Sequence, residues 1–99
     1  MQHVTNEYLE RFTPVFDENN PQYDPWMKDI GMQKMWFKSM ENYFCDLLAV
    51  QDLLTINEFL DMLGFDRRED GFDMVFHKGD SISVTLDDST GVVHFVLNN

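Results

Sequence analysis

The sequence predicts an α+β fold, with helices at about 5–13, 26–50 and 55–63 packed on one face of a three-stranded antiparallel meander at about 72–77, 81–86 and 92–97. Three observations carry this. Apolar residues recur at helical spacing as far as Leu63, they alternate after Gly71, and the stretch from Thr55 to Gly64 carries its own start and stop signals.

Thr5 is placed to cap the first helix, Glu7 and Glu10 suit its early turns, Tyr8, Leu9 and Phe12 form its apolar stripe, and Pro14 ends it. Residues 17–25 form a loop by composition. An EF-hand starting at Asp17 is excluded, because its glycine and glutamate positions hold Gln22 and Lys28. The second helix starts at Trp26 or Met32, with Gly31 as a break between them. Met32, Trp36, Met40, Tyr43, Leu47 and Val50 fall on one arc, which Phe37, Phe44 and Leu48 extend. The methionines Met27, Met32, Met35 and Met40 are expected in the core, since Trp36 and Phe44 share their surface; the competing reading is an adaptable binding face. Cys45 falls on the polar side with no histidine at helical spacing, so it is not expected to act as a nucleophile.

Thr55 and Glu58 make a capping box, Leu54 and Phe59 a hydrophobic staple, and Gly64 a left-handed stop. In the connection that follows, Arg67 and Arg68 stand among acids and are expected to pair locally. A Lys78-Gly79-Asp80 loop pairs Phe76 with Ile82, Met74 with Val84 and Phe72 with Leu86. The loop Asp88-Ser89-Thr90-Gly91 then sets Leu86 against Val93, Val84 against Phe95 and Ile82 against Leu97, so that both hairpins share one apolar face.

The 99 residues form one expected domain, 1–99, and a 43% hydrophobic content is enough to fill a core, which excludes a disordered acidic tail. A single cysteine rules out an internal disulfide. With no apolar run of spanning length and no basic and apolar leader, the expectation is a cytoplasmic protein. The net charge is −11. Acids outnumber bases in both halves of the chain, so the charge is not a tail. Nucleic acid and anionic membranes are disfavoured as direct ligands, and a basic protein is favoured.

On the second face of the predicted sheet, Asp73, Thr85 and His94 share a row and Val75, Ser83 and Val96 another. The first row holds the residue types of a nucleophilic site but has no oxyanion donor near it, so no catalytic residue is expected. His77 and His94, on the outer strands, stand ~9.5 Å apart, too far to share zinc. No cofactor and no metal are expected. The candidate contact surface is therefore Val75, His94 and Val96 on the sheet, with exposed backbone on the outer strands. Asp66, Glu69, Asp70, Asp73, Asp80, Asp87 and Asp88 fringe it and are spaced to imitate a phosphate backbone. No nucleotide-binding, metalloprotease, serine-hydrolase or dithiol motif is present in the chain.

The run Leu54-Thr55-Ile56-Asn57-Glu58-Phe59-Leu60-Asp61-Met62-Leu63-Gly64-Phe65, between a long helix and a small sheet, resembles a family of small uncharacterised proteins of bacterial phages and mobile elements over residues 36–97. Members tend to have Gly-Trp entering the first strand, where this chain has Gly71-Phe72. The resemblance implies a phage or mobile-element setting and no mechanism. The net charge of −11, the compact 99-residue chain and the missing catalytic motifs lead to the expectation of a small acidic protein that binds and inhibits a basic, nucleic-acid-handling host protein, such as a CRISPR nuclease or another defence factor. The alternative expectation is a homo-oligomer, a dimer above all, associating through the sheet; a hydrolytic or metal-dependent enzyme is a further one.

Overall fold

A computed structural model describes residues 1–24 and 29–98. The expected helix start at Trp26, the placement of Met27 and the end of the 17–25 loop lie outside the described residues. The order is β1 (Gln2–His3), α1 (Asn6–Glu10), α2 (Ile30–Gln51), β2 (Leu53–Thr55), α3 (Ile56–Leu63), β3 (Met74–His77), β4 (Ser81–Leu86) and β5 (Val93–Asn98).

The α+β class holds, and the meander does not. Strands β1, β3 and β2 form one mixed sheet in that order, and β4 with β5 forms a separate antiparallel pair. The expected pairing of Phe76 with Ile82 is replaced by Phe76 with Leu54, and β3 is central rather than outer, with β1 parallel on its other side. The physical reason lies at Asp80. Its buried carboxylate accepts the His77 N–H at 2.9 Å and meets Nε2 of His3 at 2.7 Å, which ties the turn after β3 to β1, while β1 and β2 occupy the two edges of β3 that β4 would need. Phe72, expected in the core against Leu86, is exposed under the Arg67 guanidinium. The β4–β5 register, by contrast, is the expected one throughout: Leu86 faces Val93, Val84 faces Phe95 and Ile82 faces Leu97.

Local chemistry explains the helix limits. Thr5 accepts the Tyr8 N–H, and α1 ends at Glu10, shorter than expected. Asp29 caps α2 through the Gly31 N–H, so Gly31 lies in the first turn and breaks nothing. Asp52 ends α2 at φ 67 and ψ −32, a backbone conformation outside the helical regions, and its carbonyl accepts Lys78 N–H at 2.9 Å. Thr55 accepts the Glu58 N–H at 3.1 Å, and Gly64 stops α3 at φ 79. The extended backbone an N-cap requires also lets Thr55 close β2 against Val75.

Phe59 of α3 joins the parts. Its ring meets Phe44 of α2 at 5.4 Å, Phe76 of β3 at 5.4 Å and Phe95 of β5 at 5.2 Å, all edge-on. Both outer edges of the β4–β5 pair are engaged by the rest of the chain. Glu41 of α2 accepts the Val84 N–H at 3.3 Å. On the other side, the Asn6 amide both donates to the Leu97 carbonyl and accepts its N–H. Pro14 and Phe16 bond to Val93 and Gly91 of the same strand region.

Candidate functional site

The predicted acids divide into three groups. Asp66, Glu69 and Asp70 lie on the exposed connection after α3, and Asp87 and Asp88 at the β4–β5 hairpin tip. Asp73 and Asp80 bracket β3 beside β1. The segment 12–17 draws the first two groups together. Val15 bridges Val92 next to the hairpin tip, and the same Val15 lines a pocket with Asp17, Gly64, Phe65 and Asp66.

Three members of the predicted contact surface are corrected. Asp80 is buried and holds His3 and His77, so it is a structural carboxylate and not part of a fringe. Val75, in the central strand of the mixed sheet, is 2% exposed, which removes it from any surface. Asp73 lies in the turn before β3, outside the β4–β5 pair that holds Thr85 and His94, so the row Asp73–Thr85–His94 does not exist; only the Thr85–His94 and Ser83–Val96 pairs do. His94 and Val96 point outward from β5 as expected. Strand addition on 72–77 or 92–97 is also corrected, since β3 is internal and β5 is bonded by Asn6 and Pro14.

Sequence reasoning missed a groove of about 440 Å³ beside the acids. It is floored by Phe12, Pro14, Val15, Leu60 and Phe65, with Asp66, Arg67 and Arg68 on its rim. The available signal was Phe12, an aromatic placed on a helix that ends before it. Both arginines are engaged. Arg67 meets Asp61 through two nitrogens, at 3.1 and 2.8 Å, which holds the Asp61 carboxyl below the usual carboxylate range. Arg68 lies 4.7 Å over the Phe12 ring and 5.6 Å over Tyr8, and it donates to the Tyr8 hydroxyl. At the hairpin tip, the Ser89 hydroxyl and N–H bond to Asp87 and lower its pKa likewise.

Burial raises the Tyr8 hydroxyl pKa above its ordinary value; the 2.8 Å bond to Asp70 adds to the rise and Arg68 opposes it. A raised folded-state pKa contributes stability that is complete below the unfolded value and lost as pH climbs through the folded one. Tyr8→Phe is therefore expected to lose about 1 kcal/mol at neutral pH. Its stability relative to the parent should recover as pH rises above ~10, where Tyr8 of the unfolded parent ionises before the folded one does. Urea unfolding of both proteins at neutral and alkaline pH checks this, and a difference that stays constant with pH would refute it.

Each described lysine and arginine lies within ion-pair distance of a carboxylate of this chain: Arg11 with Glu7, Lys34 with Asp88, Lys38 with Glu41, Arg67 with Asp61, Arg68 with Asp70 and Lys78 with Asp52. Exposed Glu10, Glu18, Asp46, Glu58, Asp66, Glu69 and Asp73 form no such pair among the described residues. Among the described residues no three His, Cys, Asp or Glu side chains are grouped to hold a metal ion, and no helix is long and apolar enough to cross a membrane. No protein-family model, no curated protein and no solved structure matches this chain.

Proposed function

We propose that the protein works by stoichiometric binding to a basic, nucleic-acid-handling host protein and inhibits it by occupying the channel its nucleic acid would use. One observation carries this reading. The chain's described cations are each matched by a neighbouring carboxylate, so the remaining exposed acids present negative charge outward with no basic patch beside it. Asp66, Glu69 and Asp87, which form no ion pair among the described residues, are the contact acids in this proposal, together with Asp88, whose charge Lys34 offsets, and with His94 and Val96 on the outward face of β5. In the phage or mobile-element setting that the resemblance implies, the proposed target is a CRISPR nuclease or another defence factor, an anti-CRISPR-type role in the cytoplasm of the host cell.

The test is capture from nuclease-treated bacterial lysate on the immobilised protein, at low and high salt. Basic nucleic-acid enzymes are expected to be retained at low salt and released at high salt. The combined variant Asp66→Asn, Glu69→Gln, Asp87→Asn, Asp88→Asn should lose at least tenfold in retention, equivalent to about 1.4 kcal/mol. A retained set that ignores both salt and the variant defeats the proposal.

A further inference from the structure

Helix α2 does not bury the arc its sequence suggests. Its core side is Gln33, Phe37, Phe44 and Leu48, and Met32 (49% exposed), Met35 (71%), Tyr43 (52%) and Val50 (81%) face solvent. The expectation that the methionines are core fails for Met32 and Met35. Half-buried Trp36, Met40 and Leu47 border the exposed group. Read along the helix, Trp36, Met40, Tyr43, Leu47 and Val50 alternate steps of four and three residues, the spacing of a seam that packs against another helix.

The seam is nearly free of charge on a protein of net charge −11. Of the charged residues between Met32 and Val50, Lys34, Lys38 and Glu41 lie on the side toward β4, where they line one pocket with Val84, Thr85 and Leu86. Asp46 alone stands beside the seam. A basic partner would find one carboxylate there, whereas an uncharged seam would meet its own kind without an unpaired charge. The pattern is close to symmetric about Tyr43: Trp36 and Val50 lie seven residues either side of it, and Met40 and Leu47 three and four, one residue out of register. Two antiparallel copies would then set Tyr43 on Tyr43, Trp36 on Val50 and Met40 between Asp46 and Leu47.

We infer that α2 is a dimerisation helix and that its occupant is a second copy of this chain, related by a twofold axis at Tyr43. Association of this kind strengthens with salt, because screening removes the repulsion between two acidic bodies while the apolar seam is unaffected. The dimer is independent of the proposed acid-mediated binding, which weakens with salt.

Sedimentation equilibrium at low and high salt reads the first property, with at least a tenfold tighter dimer expected at high salt. Tyr43→Glu opposes two carboxylates on the axis and is expected to leave a monomer with an unchanged circular dichroism spectrum, since Tyr43 is exposed. In a Cys45→Ser background, Tyr43→Cys is expected to crosslink under mild oxidation and Val96→Cys, at a similarly exposed position (46%), not to. A monomer at all salt concentrations overturns the inference, and so does crosslinking through Val96→Cys, which would place the contact on the sheet. Neither result touches lysate capture, which Tyr43→Glu should leave intact.

Discussion

Phe59→Ala is expected to lower the stability of the fold by about 3–5 kcal/mol, a large part of the 5–15 kcal/mol typical of domains. The ring is 1% exposed and is the shared neighbour of Phe44, Phe76 and Phe95, which belong to the long helix, the mixed sheet and the hairpin respectively. Truncation removes the transfer free energy of the ring and leaves a void between three elements that cannot all close on it. Phe59→Leu fills most of that space and is expected to lose less than half as much. Urea unfolding followed by far-ultraviolet circular dichroism and by tryptophan fluorescence checks both. A loss for Phe59→Ala below ~1.5 kcal/mol would show that the two sheets are held together by something other than this ring.

Asn57→Ala is expected to follow at about 3 kcal/mol, the sum of two hydrogen bonds lost by one buried peptide group and a small void. The buried Asn57 side chain accepts the Arg68 N–H at 2.8 Å and donates to the Arg68 carbonyl at 3.1 Å, while its own N–H bonds to Gly71 at 3.2 Å. It thus fixes the connection that carries Asp66, Glu69 and Asp70. Gly71 is required for a steric reason: a Cβ there would fall on the Asn57 amide. Gly71→Ala is accordingly destabilising alone, and in an Asn57→Ala background much of its effect should vanish, a coupling of about 1 kcal/mol or more. Additive losses in that cycle would mean the two residues act separately. Asn57→Asp should be no better than Asn57→Ala, since a carboxylate cannot donate to the Arg68 carbonyl and brings a charge into a buried place.

Elements with a strong period or explicit caps were legible. Alternation over Ser81–Leu86 and Val93–Asn98 left one register that buried a whole apolar face, and the structure has that register. Thr55 and Gly64 bound α3 as their chemistry requires. Strands β1 and β2, of two and three residues, have no room for a period, and Thr55 was already accounted for as a cap. Missing them displaced β3 to an edge. The run Met74-Val75-Phe76 carried the contrary signal, since three consecutive apolar residues are what a strand covered on both faces looks like. For α2, the sequence shows an apolar arc wider than one neighbour can cover but not which part meets the core. Neighbours decided that: Phe59 and Phe76 take Phe44, and Phe16 takes Phe37 and stacks on Trp36. Among the candidate site residues, the loop acids were placed by composition alone, whereas Asp80 and Val75 depended on a strand order that local pattern does not encode.

The amide of Asn6, bonded to Leu97 across 91 residues, and His3, bonded to Asp80 across 77, set a timetable for synthesis. At about 5–20 residues per second, α1 emerges roughly 5–20 s before its partners. Its apolar side, Tyr8 and Leu9, has no hairpin to cover it in that interval. Closing so long a loop is entropically costly and comes late, so the ribosome-bound chain passes through a stage in which α2 and α3 can dock on each other while the segment before them hangs free. A protease or chaperone meeting the nascent chain at that stage would find residues 2–11 uncovered, although in the finished molecule they are stitched to both sheets.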